Sequence, residues 1–168
     1  FADLGKKVLL IDADLRRPSI HTYFEIDNMV GFSNLLTDKS LNLKDVILPS
    51  SSNNLYLITA GIRPPDPIYL ISSDNMKILL NQFKDNNNYD IIFIDTPPSQ
   101  GLADSKLLAE YSDLILYVVA VEDTNKNIFK NSLSSYVSNV NRANGDLDVP
   151  ISVIANRSKE VKYNNNGY

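Results

Sequence analysis

The sequence predicts an α/β fold in which helices flank a mostly parallel sheet. Its apolar runs, such as the one that precedes Asp12, show no alternation with polar residues, which is typical of strands buried on both faces. Segments with apolar residues at helical spacing lie between these runs. Because strand and helix alternate along the 168 residues, a parallel sheet with right-handed crossovers is the most economical topology.

The elements follow in order along the chain. The opening residues predict the last turn of a helix with Gly5 as its C-cap, and the first strand then runs to Asp12. Residues 18–54 hold only short apolar clusters and predict short helical turns and loops. The prolines of residues 61–67 predict a stiff loop. Further strands are predicted over residues 55–59, 91–95, 114–121 and 151–156, and helices over residues 74–86, 104–111 and 125–142.

Composition restricts the classes of function. The chain has no Cys and a single His, which excludes disulfides, thiolate chemistry and histidine clusters, so a metal would be bound by oxygen and most simply be Mg²⁺. A net charge of -4 with interspersed Lys and Asp gives no basic stripe, so no nucleic-acid partner is expected. The longest apolar run, residues 114–121, is too short to span a membrane and predicts a soluble chain.

The length favours one domain, predicted over residues 1–160, followed by a flexible tail over residues 161–168 that contains Tyr163 and Tyr168. The tail is rich in Asn and offers little apolar surface for packing, so disorder is expected.

Acidic side chains follow two of the predicted strands. Asp12 and Asp14 share a direction if the extended geometry continues past the first strand, and Asp95 ends another apolar run. If the two strands are neighbours, the three carboxylates converge at the edge where α/β sheets bind ligands. Such a group needs cations, hydrogen bonds or protons, and a divalent metal fits best. An ordinary Asp-rich turn is the alternative for Asp12 and Asp14.

These strand ends carry a family resemblance. Residues 9–16, LLIDADLR, resemble the Walker A′ motif, and residues 92–98, IFIDTPP, resemble the Walker B motif. Together they resemble the bacterial tyrosine kinases of capsule and exopolysaccharide synthesis, over nearly all of the chain. Partition and division-site ATPases share both aspartate motifs, but the Arg16-Arg17-Pro18 continuation is more similar to the kinases. The resemblance implies a P-loop NTPase-like fold.

The resemblance also implies roles for single residues. Asp14 and Asp95 would bind Mg²⁺, and Asp12 would receive or orient the proton of the tyrosine hydroxyl or contact the water shell of the metal. Arg16 would contact phosphate or form a salt bridge with Asp12 or Asp14. At a third strand end Asn156, followed by Arg157, would bind the adenine of ATP. An Asn that simply starts the next turn is the alternative.

One expected motif is absent from the sequence, which contains no GxxxxGK[ST] loop to cradle the β- and γ-phosphates. The chain is therefore expected to be a fragment, with little activity alone, that lacks the phosphate-binding loop and the first strand of the sheet. That strand is expected beside residues 9–12, so that its absence exposes an apolar edge.

The functional hypothesis is ATP- and Mg²⁺-dependent tyrosine autophosphorylation that regulates capsule or exopolysaccharide synthesis and export. The family implies that Tyr163 and Tyr168 are phosphoacceptors between neighbouring subunits, although a simple disordered end is the alternative. It also implies a membrane activator or chain-length regulator as partner, at the cytoplasmic face of the bacterial inner membrane. The alternatives are a partition or positioning ATPase, with water as the acceptor, and a non-catalytic regulatory module.

Overall fold

The computed structural model describes residues 1–85, 88–99, 103–143 and 149–157. The chain forms two compact units, Phe1–Tyr111 and Ser112–Tyr168, and each is described by itself. The single domain over residues 1–160 stays a prediction, and the tail over residues 161–168 lies outside the described residues. The α/β class is confirmed in both units.

A four-stranded sheet organises the first unit. Its strands are Val8–Asp12 (β1), Leu48–Pro49 (β2), Leu55–Ile58 (β3) and Ile91–Asp95 (β4). Their order is β2-β3-β1-β4, in which β1 pairs in parallel with β3 and β4 while β2 is antiparallel to β3. The prediction of an open apolar edge at residues 9–12 is wrong, because β3 and β4 occupy both sides of β1.

Short helices fill the connections of this unit. They are Ile20–Phe24 (α1), Phe32–Thr37 (α2), Leu43–Val46 (α3), Pro67–Ile71 (α4), Asp74–Asp85 (α5) and Asp104–Ala109 (α6). The opening residues form a 3₁₀ turn, Ala2–Leu4, which Gly5 closes with a φ of 81° as predicted. The stiff loop is shorter than predicted, because Pro67 begins α4. Proline suits the first helical position, where its missing N–H has no partner to lose.

The second unit contains the remaining elements. The strands Ile115–Ala120 (β5) and Ile151–Asn156 (β6) pair in parallel from Ile115 opposite Ile151 to Ala120 opposite Asn156. The helix Lys126–Ala143 (α7) connects them, which gives the strand-helix-strand order that the sequence predicts. No helix among the described residues of either unit is long and apolar enough to cross a membrane.

The apolar core of the first unit lies on the strands and on α2 and α5. Leu9 and Ile11 of β1 and Phe32 of α2 have no exposed surface. The predicted apolar face of α5 is confirmed by four buried side chains: Met76, Leu79, Leu80 and Phe83. The core therefore fixes β1, whose carboxyl end carries the candidate site.

Gly31, directly before α2, supports a prediction about stability. A Cβ atom there would overlap the Thr59 carbonyl oxygen and the Gly61 backbone nitrogen, and backbone cannot move aside easily. We expect Gly31→Ala to lower the free energy of unfolding by about 3 kcal/mol, measured by urea denaturation. Gly5→Ala is the control, because a Cβ atom at Gly5 would contact no neighbouring atom. The positive φ of Gly5 alone should make that substitution cost about 1–2 kcal/mol. A smaller loss at Gly31 than at Gly5 would contradict this close approach.

Candidate functional site

The candidate site begins where β1 and β4 end side by side. Asp12 and Asp95 are opposite each other in the register of the two parallel strands. The Ala13 N–H donates to the Asp95 carbonyl oxygen at 2.9 Å, so the pairing continues one residue beyond Asp12. The predicted neighbourhood of the two strands is confirmed, and it brings Asp12 and Asp95 to one edge of the sheet.

The Asp12 carboxylate is buried and held by the backbone that follows it. It has no exposed surface and accepts hydrogen bonds from the N–H groups of Asp14 at 3.2 Å and of Ser19 and Ile20 at 3.1 Å each. Burial raises the pKa of Asp12, and these three bonds oppose that rise. The Asp12 carboxylate thus holds the backbone of residues 14–20 close to the end of β1.

Asp14 lies in a turn instead of continuing the strand. The strand ends at Asp12, and the Leu15 N–H donates to the Ala13 carbonyl oxygen at 3.0 Å across Asp14, so the chain turns there instead of staying extended. Asp14 Oδ1 accepts the N–H groups of Arg16 at 3.1 Å and of Arg17 at 2.9 Å, as in the Asp-rich turn that was the alternative interpretation. The Asp14 side chain stays partly exposed.

Asp95 is the most exposed of the three carboxylates, and its surroundings still disfavour its charge. Desolvation at the strand end raises the pKa of Asp95 most, and the negative charges of Asp12 and Asp14 raise it further. Asp14 raises the pKa of Asp12 in the same way. The three carboxylates therefore repel one another, and a cation among them would relieve that repulsion.

These residues fit one mode of Mg²⁺ binding. No group of three or more His, Cys, Asp or Glu side chains within the described ranges could hold a metal ion by itself. Mg²⁺ commonly takes only one or two carboxylates and completes its shell with water and substrate phosphates. Asp95 and the partly exposed Asp14, whose hydrogen bonds involve only Oδ1, suit that arrangement. Asp12 is fully buried, and both of its oxygen atoms accept backbone N–H groups.

Arg16 pairs with an acidic residue that the sequence did not single out. Its Nε donates to Asp104 Oδ2 at 2.7 Å and its Nη2 donates to Asp104 Oδ1 at 3.1 Å. The predicted salt bridge with Asp12 or Asp14 is therefore wrong in its partner. The hydrogen bonds to Asp104 are the largest cause that raises the pKa of Arg16. Asp104 is only 1% exposed, so α6 holds a buried carboxylate against the turn after β1.

The loop over residues 61–66 is anchored next to this turn. Ser33 Oγ donates to the Ile62 carbonyl at 2.6 Å, and the Ile62 N–H donates to Asn34 Oδ1 at 3.3 Å. The Asn28 amide pairs with the backbone of Gly61 in both directions, at 2.9 and 3.2 Å. These bonds fix the start of a proline-rich wall opposite Arg16.

The predicted base-binding pair lies in the second unit. Asn156 ends β6, and its Oδ1 accepts the Arg157 N–H at 2.8 Å. Arg157 has a φ of 53° and forms an ion pair between Nη1 and Asp123 Oδ2 at 2.9 Å. The local geometry of Asn156 is that of a residue starting a turn, and both side chains are exposed. Adenine binding by Asn156 and Arg157 stays a prediction.

Comparison with known proteins gives consistent relationships. A family model described as an AAA domain matches residues 1–149. Tyrosine-protein kinase YwqD of Bacillus subtilis is 40% identical over 126 residues, which are 75% of this chain and 52% of the relative. The crystal structure of the VpsO kinase domain has a TM-score of 0.78 at 31% identity, covering 93% of this chain and 72% of that one.

A protein named for plasmid partition, and not as a kinase, shares the fold at lower similarity. A plasmid partition protein from Borrelia burgdorferi has a TM-score of 0.68 at 25% identity and covers 96% of this chain and 72% of its own. The chain spans about half the length of the first curated relatives that it matches. These relatives, kinases and a partition protein, belong to the two classes of protein that the aspartate motifs resemble.

Proposed function

Since this chain belongs to the AAA domain family and is related to the tyrosine kinases of the bacterial P-loop superfamily, we propose that its protein transfers phosphate from ATP to tyrosine side chains, its own included. The observation that carries the proposal is the adjacency of β1 and β4, which sets Asp12 opposite Asp95 at the ligand-binding edge of a parallel sheet. The relation to YwqD, at 40% identity, supports a kinase in particular.

The proposed roles follow from accessibility. Asp14 and Asp95 hold Mg²⁺, which would offset negative charge on the phosphate oxygens during transfer. Asp12 is fully buried, and it accepts hydrogen bonds from the N–H groups of Ser19 and Ile20. We therefore assign to Asp12 the positioning of the turn that follows β1. That Asp12 receives or orients the proton of the acceptor hydroxyl remains a prediction. The raised pKa of Asp12 would make it a stronger base in that role.

The remaining parts of the proposal concern the intact protein. Asn156 and Arg157 would contact the base of ATP, and Tyr163 and Tyr168 would accept phosphate from neighbouring copies. Regulation of capsule or exopolysaccharide synthesis at the cytoplasmic face of the inner membrane, with a membrane activator as partner, follows from kinship alone. The similarity to VpsO and YwqD supports the kinase assignment on which these parts depend.

A partition-type ATPase is the second candidate, favoured by the similarity to the Borrelia protein. The two candidates differ in the acceptor of the phosphate, which is tyrosine in one and water in the other. The kinase is preferred because both identity and TM-score are higher for the kinases, and because the Arg16-Arg17-Pro18 continuation resembles them.

The test incubates full-length protein with Mg²⁺ and ATP and measures phosphotyrosine, ADP and free phosphate together. We expect phosphotyrosine to form in the wild type and to fall by about 10²-fold or more in Asp14→Asn. Asn keeps the Oδ1 that accepts the N–H groups of Arg16 and Arg17, so this variant removes the charge and preserves the turn. Asp3→Asn, on the exposed opening turn, is the matched control.

The products separate the hypotheses. ADP with an equal amount of free phosphate and no phosphotyrosine would establish an ATPase. If neither phosphotyrosine nor free phosphate formed, the non-catalytic regulatory module would be the remaining hypothesis.

A further inference from the structure

An open cleft of about 460 Å³ lies beside the turn that follows β1. Its lining residues are Arg16, Arg63, Pro64, Pro65 and Pro67. This volume falls within the roughly 300–1,000 Å³ of small-molecule sites. The negative charges of Asp66 and Asp14 act on the Arg16 guanidinium, so the cleft lies within electrostatic range of Asp14 of the candidate site.

The proline wall determines which ligands the cleft suits. Protein sites for nucleotide phosphates usually present backbone N–H groups to the anion, often at a helix N-terminus or a glycine-rich turn. Pro64, Pro65 and Pro67 have no N–H groups, so this wall offers ring faces to pack against and few donors. A ligand with a flat apolar body fits such a wall better than a nucleoside triphosphate does.

The arginines of the cleft favour a ligand that also carries an anionic group. Arg16 is bound to Asp104 through two of its nitrogens. Arg63 is exposed, and in the described ranges no carboxylate pairs with it. The nearest acidic residue in sequence, Asp66, accepts the Tyr69 N–H at 3.1 Å as the cap of α4. The Arg63 guanidinium is thus available, and its planar donors match the oxygens of a phosphate group.

The wall is also held in place before any ligand arrives. The hydrogen bonds of Asn28, Ser33 and Asn34 fix Gly61 and Ile62, directly before Arg63. Proline then restricts the backbone of the next residues. A site that is already ordered loses less conformational freedom on binding.

We propose that this cleft binds the phosphotyrosine side chain of a peptide segment, with its aromatic ring against the prolines and its phosphate on Arg63. The proposal rests on the proposed function, because it assigns the phosphorylated product of that reaction to a subsite next to the aspartates. Arg16, bound to Asp104, lines the same cleft and lies within electrostatic range of Asp14.

The experiment measures binding of fluorescent peptides to the full-length protein without ATP, by anisotropy. A phosphotyrosine peptide should bind, and Arg63→Ala should weaken it by about tenfold or more, as expected for the loss of a hydrogen-bonded charge. Arg63→Lys should bind with intermediate affinity, because it keeps the charge without the planar fork. Arg17→Ala is the matched control, since Arg17 is an exposed neighbour of Arg16 that does not line the cleft.

Three ligands test the chemistry of the cleft. The unphosphorylated peptide should bind weakly and be insensitive to Arg63→Ala, and a phosphoserine peptide should bind more weakly than the phosphotyrosine peptide. Equal affinity for inorganic phosphate and the phosphotyrosine peptide would overturn the proposal, as would equal weakening by Arg63→Ala and Arg17→Ala. Kinase activity is assayed separately: an active kinase with no peptide binding refutes only the cleft, whereas binding without phosphotyrosine formation refutes only the enzymatic proposal.

Discussion

Replacing Asp95 with Asn is expected to lower phosphotransfer by the full-length protein by about 10²-fold or more, and to raise its melting temperature in the absence of Mg²⁺. The loss of activity follows from removing a proposed metal ligand. The gain in stability follows from the desolvation of the Asp95 carboxylate at the strand end and, second, from the repulsion that Asp12 and Asp14 exert on it. One substitution should therefore move activity and stability in opposite directions.

The pH dependence of this effect has a definite sign. The pKa of Asp95 in the folded protein lies above its ordinary value of 3.8, so the folded state binds more protons than the unfolded state between these two pKa values. Stability contributed by this group therefore falls as the pH rises from about 4 through the folded pKa. The stability difference between Asp95→Asn and wild type should grow over the same interval and become constant near neutral pH.

Thermal denaturation at several pH values, with and without Mg²⁺, measures both effects. Wild type should gain stability from Mg²⁺, and Asp95→Asn should gain much less. Asp3→Asn removes an equal charge from an exposed turn and should change neither quantity. Near-wild-type phosphotransfer in Asp95→Asn would refute the metal assignment, and a lower melting temperature without Mg²⁺ would refute the repulsion.

The backbone of the site was predictable because its signals are local. Continuous apolar runs indicated both β1 and β4, and both runs end in an aspartate. The sequence left open whether the two strands are neighbours, which the structure confirms, and whether the extended geometry continues to Asp14, which it does not. The short β2 carried no such signal, since two residues have no periodicity. The start of α4 at Pro67 was missed because the three prolines of the loop predicted irregular structure throughout.

The side-chain partners of the site were less predictable, because they depend on long-range packing. Arg16 and Asp104 are 88 positions apart, and nothing in either local sequence indicates the other. The nearer candidates, Asp12 and Asp14, were the natural expectation, but backbone N–H groups engage both carboxylates. The local turn thus supplies hydrogen bonds to Asp12 and Asp14, and Arg16 forms its ion pair with Asp104 on α6 instead.

The Arg16–Asp104 pair is expected to contribute strongly to the stability of the first unit. Asp104 is only 1% exposed, so Arg16→Ala would leave a buried carboxylate without its partner. We expect a loss of about 3 kcal/mol in the free energy of unfolding, at the low end for buried pairs because 32% of the Arg16 side chain meets solvent. Arg17→Ala, in the exposed neighbour, should cost about 0.5 kcal/mol or less.

A double substitution separates the role of this pair in folding from its role at the site. Arg16→Met combined with Asp104→Leu removes both charges and fills a similar volume, so unfolding by urea should return to within about 1 kcal/mol of wild type. Phosphotransfer by the double variant should stay below that of wild type, because it lacks the Arg16 guanidinium that would contact phosphate under one alternative of the family resemblance. If the double variant recovered activity together with stability, Arg16 would serve folding alone and would have no part in handling phosphate.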